Sequence, residues 1–216
     1  MLEVRNLHAR IGEKEILKGI DLIEKDIDGI SLQSPIPNHL YINKAFRAIS
    51  PEKDVDGFNP INVGKLSIGL DSFISCTPYG IMKFFEEYNI DLEGKNAVVL
   101  GRSNIVGKPM VQCLLSKNAT VTVCHSRTEN IEEITKNADI IIAAIGKPKF
   151  VKENMVKEGA IIIDVGINRL DDGSLVGDVA FENIQKKASF ITPVPGGVGP
   201  MTIACLMENI VKAAKK

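Results

Sequence analysis

The chain has 216 residues, enough for one large domain or two small ones around a substantial buried core. Its composition, 44% hydrophobic and 25% charged, is typical of globular proteins. With 26 basic and 27 acidic residues, the formal net charge of −1 gives no electrostatic support for binding nucleic acid or an anionic membrane. No apolar run approaches the roughly 18–20 residues that span a bilayer, and the charged N-terminus does not resemble a secretory signal.

The cysteines and histidines carry no sign of a cofactor or metal centre. The three histidines are dispersed along the chain, and no C-x-x-C pair occurs. This pattern predicts reduced thiols in a protein core and no metal site. We therefore expect a soluble, cytoplasmic protein. The cysteines concerned are Cys76, Cys113, Cys124 and Cys205.

Residues 1–22 allow two interpretations. Over residues 13–25, apolar side chains recur at a spacing that is typical of a helix. Alternatively, residues 1–22 weakly resemble the opening strands of an ABC-type ATPase. The Walker A motif G-x-x-x-x-G-K-[S/T] occurs nowhere in the chain, so the sequence argues against ATPase activity.

The next part of the chain, to residue 90, mixes short elements with turns. The pattern predicts an apolar strand over residues 27–33 that ends at two prolines, and a short helix over residues 40–49. Residues 50–60 are predicted to form a long polar loop. Thr77 and Pro78 are typical of the N-cap and first position of a helix, which we expect to run to about residue 88.

From residue 90 onward, predicted strands alternate with predicted helices. The strands are solid apolar runs at 96–100, 120–124, 139–145, 160–165 and 189–192, and the helices cover 107–117, 131–137, 181–187 and 201–214. This alternation predicts an α/β fold, a Rossmann-like parallel sheet with helices on both faces, plus an incomplete smaller α/β domain. We expect an atypical segment at 1–22, the partial smaller domain at 23–90 with the closing helix 200–216, and the sheet domain at 91–199.

The stretch from Asn96 to Met110 carries the first functional signal. An apolar strand stops at Gly101 and a helix begins near Gly107, so a glycine-bounded loop points at a helix N-terminus. Such a loop can hold a phosphate with backbone N–H groups and the helix dipole. Because the spacing differs from G-x-G-x-x-G, an ordinary strand-to-helix turn is the alternative.

The end of the second strand bears on the choice of cofactor. Sheets that bind NAD carry an acidic residue there, and residues 124–128 contain none. Arg102 and Arg127 can pair with a 2′-phosphate, and Ser103 and Ser126 can donate hydroxyl groups to it. The pattern favours NADP over NAD, and the alternative is two solvated arginines on loops.

Six motifs occur in a characteristic order. They are Lys53-Asp-Val-Asp-Gly-Phe, Cys76-Thr-Pro-Tyr-Gly-Ile-Met, Gly101-Arg-Ser-Asn-Ile-Val-Gly-Lys-Pro, Asp164-Val-Gly-Ile-Asn, Gly177-Asp-Val and Thr192-Pro-Val-Pro-Gly-Gly-Val-Gly-Pro-Met-Thr. Together they make the chain similar to the bifunctional methylenetetrahydrofolate dehydrogenase/methenyltetrahydrofolate cyclohydrolases. The resemblance runs from about Ile27 to the C-terminus.

This resemblance implies two steps of one-carbon folate metabolism, a supply route for purine biosynthesis. NADP oxidises 5,10-methylenetetrahydrofolate to 5,10-methenyltetrahydrofolate, and water then opens this product to 10-formyltetrahydrofolate. The resemblance also implies a homodimer, and it implies cofactor contacts at five positions. These are Gly101, Arg102, Ser103, Ser126 and Ile167.

On the folate side, the resemblance implies catalytic and substrate-binding roles for Gln33 and Asp56. Gln33 matches the glutamine beside the family's catalytic lysine, and Asp56 matches the aspartate that binds the pterin ring, where a carboxylate can accept from adjacent N–H donors. Pro195, Gly196 and Gly197 let the backbone approach a flat ligand closely. The alternatives are a turn-forming carboxylate at residue 56 and a tight connection at residues 195–200.

Family members also carry a Tyr-x-x-x-Lys motif in a segment before the glutamine strand, and its lysine is the central catalytic group. We identify no such motif in the chain. The nearest candidate, Tyr41-Ile-Asn-Lys44, has a different spacing and follows the glutamine strand. The sequence therefore leaves two hypotheses, an NADP-dependent dehydrogenase/cyclohydrolase or a catalytically impaired NADP-binding remnant of it. Hydride transfer depends mainly on orientation, whereas hydrolysis needs an activated water and should suffer more without the lysine. A Rossmann dehydrogenase with another substrate is disfavoured by the motifs at 53–58 and 193–202.

Overall fold

The computed structural model describes the backbone of residues 2–11, 14–24, 27–33, 36 and 41–215, and side chains within these ranges from residue 27 onward. Strands β1 (Leu2–Ile11) and β2 (Lys14–Glu24) pair antiparallel. The helical interpretation is therefore wrong over residues 14–24, and residues 13 and 25 lie outside the described residues. The backbone groups of β2 pair with β1, and this pairing overrides the helical spacing of the apolar residues.

In the part of the chain that the structure describes, three helices precede the main sheet. They are α1 (Ile42–Ala48), α2 (Pro60–Ser67) and α3 (Cys76–Glu87). The sequence predicted α1, although Leu40 lies outside the described residues, and it did not predict α2. In α2 the side chain of Asn59 accepts the N–H of Ile61 at 2.8 Å, and proline occupies the first helical position. Residues assigned to a polar loop therefore start a helix.

The N-terminus of α3 differs slightly from the prediction. The N-cap is Ser75, not Thr77, so the helix begins one residue before the expected N-cap. The Ser75 hydroxyl donates to the carbonyl of Ile105 at 2.6 Å. The start of α3 is thereby joined to the loop that follows the first strand of the main sheet.

The strand predicted over residues 27–33 is not formed. Ile30 makes a single parallel bridge with Asp54, and its N–H donates to the carbonyl of Lys53 at 2.6 Å. Within the described ranges no neighbouring strand extends this pairing. An apolar run needs such a partner for its backbone groups before it becomes a strand.

The main sheet is parallel and contains five strands in the order β4-β3-β5-β6-β9. They are β3 (Asn96–Leu100), β4 (Thr120–Cys124), β5 (Ile140–Ala143), β6 (Ile161–Asp164) and β9 (Phe190–Ile191), and the short β7 (Asn168–Arg169) and β8 (Leu175–Val176) pair antiparallel beside it. From β3 the chain passes to β4 on one side, and from β4 it crosses to β5 on the other side of β3. This order creates a switch point between β3 and β5, where sheets of this type bind ligands.

Helices cover both faces of the sheet, because the strands carry apolar side chains on both faces. They are α4 (Gly107–Leu115), α5 (Ile131–Thr135), α6 (Phe181–Ile184), a 3-10 turn (Glu153–Met155) and α7 (Val198–Ala214). Val99 and Ile142 pack with α3 and α4 on one face, whereas Val98 and Ile141 pack with Met155 on the other. The predicted Rossmann-like architecture is confirmed.

The closing helix α7 connects to the part of the chain before the sheet. The Nδ2 group of the buried Asn209 donates to the carbonyls of Val55 at 2.8 Å and Ile74 at 3.1 Å. Val55, Phe73 and Ala213 form a small apolar cluster at the same place. Among the described residues, none of the helices is long and apolar enough to cross a membrane.

Candidate functional site

The C-terminal ends of β3, β4 and β5 surround a pocket of about 390 Å³. This is the switch point of the sheet, because the connections that follow β3 and β5 run to opposite sides. Apolar walls come from residues such as Leu100, Ile131 and Phe150. The polar side chains that line the pocket are Arg102, Ser103, His125, Ser126, Thr128 and Lys147.

Four of the predicted cofactor positions meet in this pocket. Gly101, Arg102 and Ser103 enter it from the end of β3, and Ser126 enters from the end of β4. Arg127 lies on the same turn as Ser126 but is not among the lining residues.

Gly101 forms the backbone floor of the pocket. Its φ of 115° lies in the region that favours glycine, and its N–H donates to the carbonyl of Cys124 at 2.8 Å. A Cβ atom at this position would overlap the carbonyl oxygen of Ala144, and one on Gly107 would overlap the carbonyl oxygen of Gly101. Both glycines that bound the loop are therefore required by close backbone contacts.

Ser103 changes the expected role of the helix N-terminus. Its Oγ accepts the N–H of Val106 at 3.1 Å and that of Gly107 at 3.3 Å. These two backbone donors are already paired, although the sequence analysis expected the N–H groups here to hold a phosphate. Arg102 and the Ser103 hydroxyl hydrogen offer side-chain donors to an anion in the pocket.

The turn after β4 is closed by its own hydrogen bonds. The N–H of His125 donates to Oγ1 of Thr128 at 2.9 Å, and the N–H of Arg127 donates to Nδ1 of His125 at 3.2 Å. Ser126 and Arg127 are exposed at its tip. This turn presents hydroxyl and guanidinium groups where NAD-binding sheets present a carboxylate.

A second cavity, of about 630 Å³, lies beyond the ends of β6 and β9. Its lining includes Ile167, predicted as a cofactor contact, together with Pro195, Gly196 and Gly197, predicted as folate contacts. Thr77, from α3, also lines this cavity. Residues predicted for two different ligands therefore share one apolar cavity.

Asp56 is held by the segment that precedes Gln33. The N–H of Leu32 donates to Oδ2 of Asp56 at 2.8 Å, and the Ser31 hydroxyl donates to Oδ1 at 3.1 Å. Burial raises the pKa of Asp56, and these two hydrogen bonds oppose the rise. Gln33 directly follows Leu32, so the two predicted folate residues belong to one hydrogen-bonded unit, while neither lines the cavity around Ile167.

The environment of Cys76 excludes a nucleophilic role for its thiol. Burial, and then the charge of Asp56, raise the pKa of Cys76 to about 12. A thiol with this pKa stays protonated near neutral pH and is a poor nucleophile. Of the described residues, no group of three or more histidines, cysteines and carboxylates could hold a metal ion.

The Tyr-x-x-x-Lys spacing does occur later in the chain, at Tyr79 and Lys83, and the sequence analysis missed it. Both residues lie on α3, with the lysine Nζ 5.0 Å from the centre of the tyrosine ring. The Tyr79 hydroxyl donates to Oε1 of Glu208 on α7 at 2.5 Å, and burial, followed by this bond, raises its pKa. These contacts join two helices, so we interpret the pair as structural.

Two buried carboxylates organise the loops between the two cavities, and the sequence analysis gave them no role. Asp178 accepts the N–H groups of Ile145 at 2.7 Å, Gly146 at 2.9 Å and Lys147 at 2.8 Å. Asp164 accepts the N–H groups of Gly166 at 3.0 Å, Asp178 at 2.9 Å and Val179 at 2.9 Å. Both aspartates belong to motifs that carried the family resemblance. Apart from Gly166, the N–H groups that they accept lie 14 to 33 positions away in the sequence.

Asp164 should make stability depend on pH. Burial raises its pKa from 3.8 to about 6, against the effect of the three N–H donors. The folded state therefore binds the proton more tightly, and stability due to this group falls as the pH rises from about 4 to about 6. We expect the free energy of unfolding of the natural chain, minus that of Asp164→Asn, to fall by about 2 kcal/mol over this range. Urea unfolding at several pH values checks this, and a constant difference would contradict it.

A five-stranded parallel sheet with a glycine-floored pocket at its switch point is the architecture of dinucleotide-binding α/β proteins. Residues 75–216 match the family model of the tetrahydrofolate dehydrogenase/cyclohydrolase NAD(P)-binding domain. The chain belongs to the tetrahydrofolate dehydrogenase/cyclohydrolase family. The resemblance seen in the sequence is thereby confirmed.

Individual relatives agree with this assignment. The bifunctional protein FolD of Campylobacter hominis is 62% identical over 201 residues, which are 91% of this chain and 71% of that protein. The crystal structure of the bifunctional FolD enzyme from Campylobacter jejuni has a TM-score of 0.86 and 56% identity, covering 87% of this chain and 67% of that one. The Trypanosoma brucei dehydrogenase-cyclohydrolase, solved with NADP and an inhibitor, has a TM-score of 0.83 and 39% identity, with coverage of 87% and 67%.

Proposed function

We propose that this chain oxidises 5,10-methylenetetrahydrofolate with NADP and hydrolyses the methenyl product to 10-formyltetrahydrofolate. Its relatives at 56–62% identity are bifunctional proteins of this family. The observation that carries the proposal is the position of two cavities at the C-terminal edge of one parallel sheet. One contains Gly101 and Arg102, and the other contains Ile167 beside Pro195. Such a pair can hold a dinucleotide and a second ligand side by side.

The pocket at the switch point fits NADP. Arg102 and the hydroxyl groups of Ser103 and Ser126 offer donors to a phosphate, and Arg127 stands beside them on an exposed turn. Of the described residues that line the pocket, none carries a carboxylate that would repel a 2′-phosphate. NADP supplies the acceptor for the hydride from the methylene carbon. We propose that Ile167 packs against its nicotinamide end, because the second cavity is where the substrate would meet it.

Asp56 and Gln33 would bind and orient the folate. An ionised carboxylate has about four acceptor positions, and Asp56 uses two of them for Leu32 and Ser31. The remaining positions can accept two adjacent N–H donors from a pterin ring. Gln33 adds an amide donor and acceptor two residues from Ser31. The backbone at Pro195, Gly196 and Gly197 would cover a flat ring from the α7 side.

We also propose that different parts of the chain bind the two ligands. Residues 91–199 would bind NADP, and residues 23–90 with the closing helix 200–216 would bind folate, joined by the Asn209 contacts to Val55 and Ile74. Residues 1–22 would be a separate N-terminal segment. We propose a homodimer in the cytoplasm, where the four free, buried cysteines would stay reduced.

Turnover by the full 216-residue chain tests this function. Purified protein is mixed with NADP and methylenetetrahydrofolate, and formation of NADPH and of the methenyl product is followed by absorbance. Decay of added methenyl substrate measures the hydrolytic step. We expect both activities, whereas saturable NADP binding without turnover would identify an impaired remnant and refute the proposal.

Asp56→Asn should separate folate binding from NADP binding. Loss of a charged acceptor is expected to lower kcat/KM for methylenetetrahydrofolate by about 100-fold, while the Kd for NADP stays unchanged. Asp91→Asn is the matched control, because Asp91 is an exposed carboxylate that also accepts a backbone N–H, from Glu93 at 3.0 Å. Equal effects of the two substitutions would contradict the role of Asp56. Steady-state kinetics and an NADP titration supply the numbers.

A further inference from the structure

The loop that follows β5 forms the wall of the switch-point pocket opposite the Gly101 turn. Lys147 and Phe150 line the pocket from this loop, and neither residue was predicted to have a role. A lysine at the rim of a dinucleotide pocket adds a positive charge there. The position of that charge is defined when the backbone that carries the lysine is held in place.

The backbone of this loop is held firmly by Asp178. The side chain of Asp178 is fully buried, and it accepts three successive N–H groups, those of residues 145–147. Asn168 donates its amide to the same carboxylate at 2.9 Å. The backbone of Lys147, from which its side chain extends, is therefore fixed in position.

The side chain of Lys147 has a partner inside the pocket. Its Nζ lies 5.7 Å from the centre of the Phe150 ring, within the range of a cation–π contact. Arg102 supplies a second cation from the end of β3. The described lining residues include no carboxylate to neutralise either charge.

We propose that Lys147 is a specificity-determining residue that selects NADP over NAD by pairing with the 2′-phosphate. This inference rests on the proposed function and extends it to a residue outside the six motifs given above. A phosphate monoester carries about 1.5 to 2 negative charges near neutral pH, whereas the ribose hydroxyl of NAD carries none. A lysine acts on such a group as a point charge, so its contribution should appear almost entirely in the NADP complex.

Lys147→Gln removes the positive charge and places a neutral amide on a side chain that is one bond shorter. We expect it to raise the Kd and KM for NADP by about tenfold and to change those for NAD by less than about twofold. The kcat with saturating NADP should hardly change. Lys147→Arg, which restores the charge, should recover most of the NADP preference.

Lys149→Gln is the matched control. Lys149 lies on the same loop and loses the same charge, but it lines a different surface cavity with Lys152 and Asn183. We expect it to leave both cofactors unaffected. Thermal unfolding of all three variants verifies that their folds are equally stable.

Three outcomes would overturn the inference. They are equal losses for NADP and NAD in Lys147→Gln, equal losses of NADP binding in both lysine-to-glutamine variants, and a natural chain that binds NADP no better than NAD. The Kd comparison needs no turnover. An inactive chain that still shows the Lys147 effect would therefore refute the proposed activity while supporting the role of Lys147.

Discussion

Gly101→Ala is expected to remove measurable NADP binding and to lower the free energy of unfolding by about 3–5 kcal/mol. Two effects add at this position. Alanine is strained at a φ of 115°, and its Cβ would overlap the carbonyl oxygen of Ala144 and lie 3.0 Å from the carbonyl carbon. That carbonyl belongs to the backbone at the end of β5, which cannot shift without disturbing the sheet. The floor of the pocket would have to move instead.

Gly94→Ala separates these two effects. Gly94 also has a positive φ, 69°, but an added Cβ would meet nothing within 4 Å. We expect a loss of only about 1–2 kcal/mol and unchanged NADP binding. Urea unfolding and an NADP titration on both variants provide the comparison. Similar losses for the two glycines would show that the contact with Ala144 is unimportant.

Asp178→Ala is expected to lower the free energy of unfolding by more than about 3 kcal/mol and to weaken NADP binding. The substitution leaves four buried or half-buried donors without their acceptor. Three are the N–H groups of residues 145–147, and the fourth is the amide of Asn168. The loop that carries Lys147 would lose its anchor. Hydrogen exchange at the three backbone amides should rise with the loss of stability.

Asp172→Ala is the control for removing a carboxylate nearby. Asp172 is exposed and accepts from the N–H and hydroxyl of Ser174 in the turn between β7 and β8. We expect a change within about 0.5 kcal/mol and no effect on NADP. The role of Asp178 would be refuted if both variants unfolded at the same urea concentration. Unchanged exchange at residues 145–147 would refute it as well.

The sequence predicted most of the main sheet because its strands are solid apolar runs. The predicted ranges 96–100 and 120–124 match β3 and β4 residue for residue, whereas 139–145 exceeds β5 at both ends. Apolar content extends beyond the last paired residue, so the run alone does not mark where pairing stops. The same argument failed for residues 27–33, where pairing is a single bridge at Ile30. Strand formation there depended on a partner that the local sequence does not reveal.

The candidate site was predictable where motifs are local and unpredictable where contacts are distant. Gly101, Arg102 and Ser103 are adjacent in the chain, and their loop could be recognised from its glycines. Lys147 is anchored by a residue 31 positions away, so nothing in its own neighbourhood distinguishes it from Lys149. The pairing of the helix N–H groups with Ser103 was equally hidden, because it depends on a side-chain rotamer.

A crystal structure of the chain with NADP bound is the sharpest test of the cofactor site. We expect the 2′-phosphate within hydrogen-bonding distance of Arg102 and Ser126, with Lys147 closing the pocket from the β5 side. The nicotinamide ring should lie in the cavity that contains Ile167. Electron density for NADP at any other edge of the sheet would contradict the site. So would a pocket that stays empty in crystals grown at a saturating concentration of NADP.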